Sequence, residues 1–256
     1  VKPVVTAIDG GIGRITLNRP DRMNAINVEL ATALQTAIDQ LGDRRDVNVV
    51  VIRGAGGNFC AGGDFDEVQR LRAEGAAELR TLFTAFKAAC DAITRAEVPV
   101  VVAVEGVAMA GGFELMQAAD IVLVANDARI ADNHINFGMI PGGGSTARLP
   151  RLLGRQQALG LLLSGDRITG FDAVELGLAY NCFPPETFDE SVDAFVTKLA
   201  GRDRSALTAI KQLVNDGLAK DFDTANADET DAVVDRISGQ AGRTGVSAFK
   251  SREVKA

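Results

Sequence analysis

Three glycine-rich stretches, and one carboxylate inside the second, are the residues whose types and spacing could do chemistry. The stretches are Asn58-Phe59-Cys60-Ala61-Gly62-Gly63-Asp64, Ala108-Met109-Ala110-Gly111-Gly112-Phe113-Glu114-Leu115 and Ile140-Pro141-Gly142-Gly143-Gly144-Ser145. None is followed by the Gly-Lys-Ser/Thr of a phosphate-binding loop. The order Gly-x-Gly-x-x-Gly is also absent after the first strand, which argues against a dinucleotide site. A different use fits. Backbone N–H groups at a helix start have no intrahelical partner and carry partial positive charge. Two such donors, from two glycine-rich strand-to-helix turns, can converge on one carbonyl oxygen as it becomes an enolate. Removing one donor of such an oxyanion hole typically costs about 3–4 kcal/mol of transition-state stabilisation.

Glu114 lies three residues beyond Gly111, and on a helix i and i+3 share a face. Its carboxylate is therefore expected beside the N–H that holds the oxygen, where a proton must be relayed to a neighbouring carbon or from an attacking water. Complementing the helix dipole is the plainer role for an acid in a first turn. The chain has one histidine, His134. That excludes a multi-histidine metal site and routes any Ser-His-Asp triad through a single residue. Cys60 is read as a small packed residue, since no second histidine exists to activate its thiol. Ser145 is read as a helix cap.

The elements that must position these residues alternate. Residues 4–8 and 13–17 read as a hairpin around Asp9-Gly10-Gly11. Residues 28–41 carry a helical apolar period with Asn27 as N-cap. Strands are expected at 47–53, 98–104 and 121–124. The last two are apolar without alternation, as in strands covered on both faces. Helices are expected at Ala76–Arg95 and 111–119. This order implies right-handed crossovers and mainly parallel pairing. From about Pro184 the strand signal ends, and helices are expected at Phe188–Ala200, 204–218, 224–237 and 246–250.

Composition bounds the rest. The 256 residues are 46% hydrophobic and 24% charged, an ordinary globular balance. The longest apolar stretches are strand-length, short of the ~20 residues of a membrane span. The first ten residues lack a basic-then-apolar leader, and three scattered cysteines fit no disulfide framework. A cytoplasmic protein is expected. A net charge of −7 argues against nucleic acid as the main partner, so contacts to an anionic ligand must be local.

Several of these motifs together resemble the crotonase family, the enoyl-CoA hydratases and isomerases, over nearly the whole chain. Asn18-Arg19-Pro20 with Asn24-Ala25-Ile26 is similar to its N-terminal signature. Phe59 to Asp64 and Gly106 to Leu115 are similar to its two oxyanion loops. Residues 140–146 and Arg148-Leu149-Pro150-Arg151 are similar to the loop and helix that follow. The resemblance implies an α/β fold, a spiral of ββα units, with residues 1–195 as the core and 196–256 as a C-terminal all-helical trimerisation region. It implies an acyl-CoA thioester as substrate, a homotrimer or dimer of trimers, and no cofactor beyond the substrate's own coenzyme A. Gly63 and Gly111 fall on the oxyanion donors and Glu114 on the first catalytic glutamate. Arg22, Ala25, Ala61, Asp64 and Phe65 fall on the CoA-binding side. Phe249 and Arg252, with Lys250, fall on the tail that reaches the nucleotide from a neighbouring subunit. Residues 69–82 are expected to form one wall of the acyl pocket.

One departure stands out. Hydratases of the family carry a second glutamate in a Pro-Glu pair about 20 residues after the first, and here that position is His134, preceded by Asn133. Histidine titrates near neutrality and can protonate a carbon or activate water. If the segment is extended, Asp132, His134 and Asn136 share a face, where Asp132 would orient or charge the imidazole, although i and i+2 side chains on a strand stand far apart. Three functions stay open: a hydratase or isomerase using Glu114 and His134; a C–C bond hydrolase acting on a β-dicarbonyl; and an acyl-CoA-binding protein without turnover.

Overall fold

A computed structural model describes residues 2–239. The expectations for residues 246–250, Phe249, Lys250 and Arg252 lie outside the described residues. The chain begins with β1 (Val4–Asp9), β2 (Ile12–Leu17) and α1 (Val28–Gly42). Next come β3 (Val49–Gly54), α2 (Phe65–Glu74) and α3 (Ala76–Arg95). They are followed by β4 (Val100–Val104), β5 (Val107–Met109) and α4 (Gly111–Ala118). Then β6 (Ile121–Ala125), β7 (Arg129–Ala131), α5 (Ser145–Leu153), α6 (Arg155–Ser164) and α7 (Gly170–Glu175) lead to β8 (Asn181–Phe183). Helices α8 (Phe188–Ala200), α9 (Arg204–Gly217) and α10 (Phe222–Ser238) are the last elements among the described residues.

The main sheet runs β1-β2-β3-β4-β6-β8, antiparallel only at β1/β2. All five residues of β4 are buried, which follows from a Val/Ala strand with no polar face to turn to water. Helix α1 starts where expected because the Asn27 side chain accepts from the Leu30 N–H, and it buries Leu30, Leu34, Ile38 and Leu41 on one face.

A second, thinner layer sets the functional geometry. Strands β5 and β7 pair parallel, and the bridges Cys60↔Ala108 and Ile26↔Gly63 extend the pairing toward the first glycine loop. The repeating unit is thus strand, short second-layer strand, helix, in agreement with the ββα spiral. Through this layer the first glycine loop lies beside the β5–α4 turn.

The chain divides into two compact units, one ending at Arg204 and one beginning at Ser205. The expected division lay between residues 195 and 196. Helix α8 belongs to the first unit because Phe188, Val192 and Val196 are buried in its core. In the second unit Asp221 caps α10 by accepting from the Thr224 N–H. No helix among the described residues is long and apolar enough to cross a membrane.

Candidate active site

A cavity of about 440 Å³ opens in the first unit. Its base is Ile26, Ala61, Gly63, Ala110 and Gly111. Its polar side is Glu114, Asn133 and His134. Its walls are Phe65 and Val68 of α2, Leu82, Phe83 and Phe86 of α3, and Phe137, Met139 and Ile140. Of the predicted wall at 69–82, Leu82 alone faces the cavity. The helical face that turns inward starts earlier and ends later than that segment.

The two glycine loops meet closely. A Cβ on Gly112 would stand 2.1 Å from the Cys60 carbonyl oxygen, so only glycine allows this approach. A Cβ on Gly111 would stand 3.6 Å from the Gly62 carbonyl carbon, the atom bonded to the Gly63 nitrogen. Gly111 opens α4, so its N–H has no intrahelical acceptor. The bridge Ile26↔Gly63 uses Gly62 O and Asp64 N and passes over the Gly63 N–H. Neither amide has an acceptor among the described residues, and both glycines line the cavity. Ala110, just ahead of α4, holds φ +48° while its N–H donates to Ala131 O at 2.9 Å. That conformation is costly for a non-glycine residue, and the bond to β7 helps hold it.

Every residue of α4 is buried, Glu114 and Gln117 included. A carboxylate in such a helix needs partners. Glu114 Oε1 accepts from the Gly143 N–H at 2.6 Å and the Ser145 N–H at 3.1 Å. Its Oε2 lies 4.0 Å from His134 Nε2. The other ring nitrogen of His134, Nδ1, is 2.5 Å from Asp132 Oδ1. Burial raises Glu114 above the ordinary carboxyl range, and the two N–H donors and His134 only partly offset it. Burial works against the charged imidazole, but the hydrogen bond and charge of Asp132, with the charge of Glu114, outweigh it and hold His134 above its ordinary value.

The segment carrying this histidine is not extended. After β7 the chain turns into a 3-10 helix, His134–Phe137. The expected shared strand face of Asp132, His134 and Asn136 therefore does not exist. The turn folds the imidazole back onto Asp132, which a strand would have kept apart. Asn136 points elsewhere, with its Nδ2 donating to Gly165 O.

Ser145 is not a cap. It is the first residue of α5, its Oγ accepts from Gln117 Nε2 at 2.7 Å, and its N–H serves Glu114. Cys60 is fully buried, and burial pushes its thiol up to about 12. Asp64 caps α2 and pairs with Arg19 at 2.7 Å. Burial opposes its charge, but Arg19 and the Glu67 N–H hold its carboxyl below the usual range. Ala25 is buried, with its carbonyl accepting from Arg19. Arg22 stands on the surface, 2.8 Å from Asp66. Ala61 and Phe65 line the cavity; Arg22, Ala25 and Asp64 do not. Sequence reasoning missed the Gly143 and Ser145 amides as holders of Glu114, and Arg148, which donates to Gly143 O. The signal was the third glycine run itself, whose bare backbone lets a main-chain N–H reach a buried acid.

Residues 7–255 match the family model described as enoyl-CoA hydratase/isomerase. The crotonyl-CoA hydratase of Syntrophomonas wolfei is 32% identical over 91% of this chain and 89% of that protein. The 1,2-epoxyphenylacetyl-CoA isomerase of Escherichia coli is 30% identical over 97% of this chain and 95% of its own. Among solved structures, an enoyl-CoA hydratase from Bacillus anthracis superposes with a TM-score of 0.92 at 28% identity, covering 98% of this chain and 96% of that one.

Proposed function

The chain belongs to the enoyl-CoA hydratase/isomerase family and is an acyl-CoA enzyme of that type; from there we propose that it adds water to a 2-enoyl-CoA, with Glu114 as base and His134 as acid. The observation that carries this reading is the 4.0 Å gap between Glu114 Oε2 and His134 Nε2, in a cavity that also presents the Gly63 and Gly111 amides. A water at ordinary hydrogen-bond distance from both atoms fits that gap. Its oxygen bonds to the β-carbon while Glu114 Oε2 takes its proton. The double-bond electrons move onto the thioester oxygen, held by the two glycine N–H groups. His134 Nε2 then delivers its proton to the α-carbon as the carbonyl re-forms. Glu114 leaves protonated and His134 neutral, and transfer across the gap resets both. No step calls on a metal or redox cofactor.

The apolar walls favour an acyl group without charge. The homotrimer or dimer of trimers that the resemblance implies is proposed here too. The exposed row Ile210, Val214 and Leu218, spaced by one helical turn, supports burial against another chain.

The test is hydration of crotonyl-, octenoyl- and cinnamoyl-CoA by wild type, Glu114→Gln and His134→Ala. Each variant is expected to lose about 10²–10⁴ in kcat. Hydration at the wild-type rate by both variants defeats the reading. The hydrogen bond between Asp132 and His134 favours one further reading, since a carboxylate-held imidazole is also a good base for water attack on a carbonyl. Cleavage of β-diketones with no hydration would replace the first reading by that one.

A further inference from the structure

We propose that Asp132 is the positioning residue of the acid–base pair: it keeps His134 with Nδ1–H turned to the protein and Nε2 turned to Glu114 and the cavity. The proposal rests on the reading of this cavity as an acid–base site for acyl-CoA.

Asp132 is 1% exposed. Its Oδ1 meets His134 Nδ1, and its Oδ2 has no partner among the described residues. A buried carboxylate with nothing else to pair with is costly. A carboxylate oxygen at that distance accepts from the ring, so Nδ1 carries a proton in both states of the ring. The exchanging proton is then confined to Nε2, the nitrogen facing Glu114 Oε2. A histidine in the place of an acid needs this arrangement. With the proton on Nε2 it is a donor to the substrate, and without it the lone pair accepts the proton that Glu114 has collected. The opposite tautomer would leave neutral His134 with Nε2–H fixed and Nδ1 aimed at a like lone pair. An amide in place of a carboxylate on Nδ1 can cost a catalytic histidine about 10⁴ in kcat by stabilising the wrong tautomer.

The position is local to the fold. Asp132 is held by the segment that leaves β7, and Ala131 O fixes the Ala110 N–H at the start of α4. One short strand end thereby sets both the oxyanion turn and the imidazole. Asp132 and Glu114 are the charged groups acting on the ring; α6, which packs against the His134–Phe137 turn, adds none.

The chain's single histidine makes the test direct. In the full-length protein, ¹H–¹⁵N spectra of the ring report tautomer and titration without resonance overlap. Wild type is expected to show Nδ1 protonated on both sides of the titration, with Nε2 exchanging. A neutral wild-type ring protonated at Nε2 overturns the proposal without any variant. In Asp132→Asn the ring is expected to titrate at lower pH and to lose the Nδ1–H tautomer. Because the acid form is then lost earlier, the high-pH limb of kcat moves down with it, and kcat falls about 10²-fold or more while KM holds. An unchanged ring titration and tautomer in Asp132→Asn overturns the proposal, as does a changed tautomer with unchanged kcat and pH profile. If wild type turns over no enoyl-CoA, the spectra still decide the role of Asp132, and the hydratase reading alone fails.

Discussion

Glu114 divides its two oxygens between different tasks. Oε1 is saturated by the Gly143 and Ser145 amides, and Oε2 is left to face His134. The fixed oxygen sets the direction of the free one, which is what a relay across 4.0 Å requires. Cys60 lies in the loop next to Gly63 and takes no part. Burial pushes the thiols of both Cys60 and Cys90 up to about 12, so neither forms a thiolate at neutral pH. Native protein is therefore expected to yield a single thiol, Cys182, to an aromatic disulfide reagent, and all three after denaturation. Reaction of Cys60 in the folded state would contradict its packed role. The position of Glu114 was legible because helical spacing ties i to i+3. The geometry that joins Asp132 to His134 was not, because it depends on a turn directly after a three-residue strand. Strand alternation gave the wrong geometry for it.

At the scale of elements, the third glycine run shows why small residues stand where they do. A Cβ on Gly143 would lie 2.1 Å from Phe86 Cε1 and 3.1 Å from Glu114 Cδ. The loop backbone thus packs on the ring that walls the cavity while its N–H reaches the acid. Gly143→Ala is expected to destabilise by about 1–3 kcal/mol through overpacking and to lower kcat by moving Glu114. Gly160, inside α6, meets nothing beyond its chain neighbours and the nearby backbone of its own helix within 4 Å of its Cβ position. Gly160→Ala is expected to stabilise by about 0.5–1 kcal/mol with kcat unchanged. Thermal denaturation and initial rates check both, and equal effects of the two changes would refute the packing argument. The long elements were readable because burial imposes a period: α1, α3 and α8 begin as expected. Strands β5, β7 and β8 have three residues each, too few to show alternation. They exist because neighbouring strands supply their hydrogen bonds. The second layer, and with it the meeting of the glycine loops, is a tertiary fact that local pattern does not carry.

For the whole molecule, the shifted groups of the core give stability a definite slope with pH. Burial raises Glu114 and Glu105 above the ordinary carboxyl value. His134 also sits above its ordinary value: burial opposes the shift, and Asp132 and Glu114 outweigh it. A raised group binds protons better folded than unfolded. Its contribution is whole below the unfolded pKa, about 4.3 for Glu and about 6.5 for His, and is lost as pH climbs through the folded value. Asp64 runs the other way: burial opposes its charge, Arg19 more than compensates, and its contribution is lost as pH falls below about 3.9. The net charge of −7 at pH 7 grows more negative with pH and adds self-repulsion in the same direction as the raised groups. The melting temperature is therefore expected to be highest in mild acid and to fall as pH rises from about 5 to about 8.5. Glu114→Gln removes one buried charge and its pull on His134, so its melting temperature is expected to fall less steeply over that range. A wild-type melting temperature that rises from pH 5 to 8.5, or an equal slope in Glu114→Gln, would mean that the acid at the centre of the cavity carries its charge without cost to the fold.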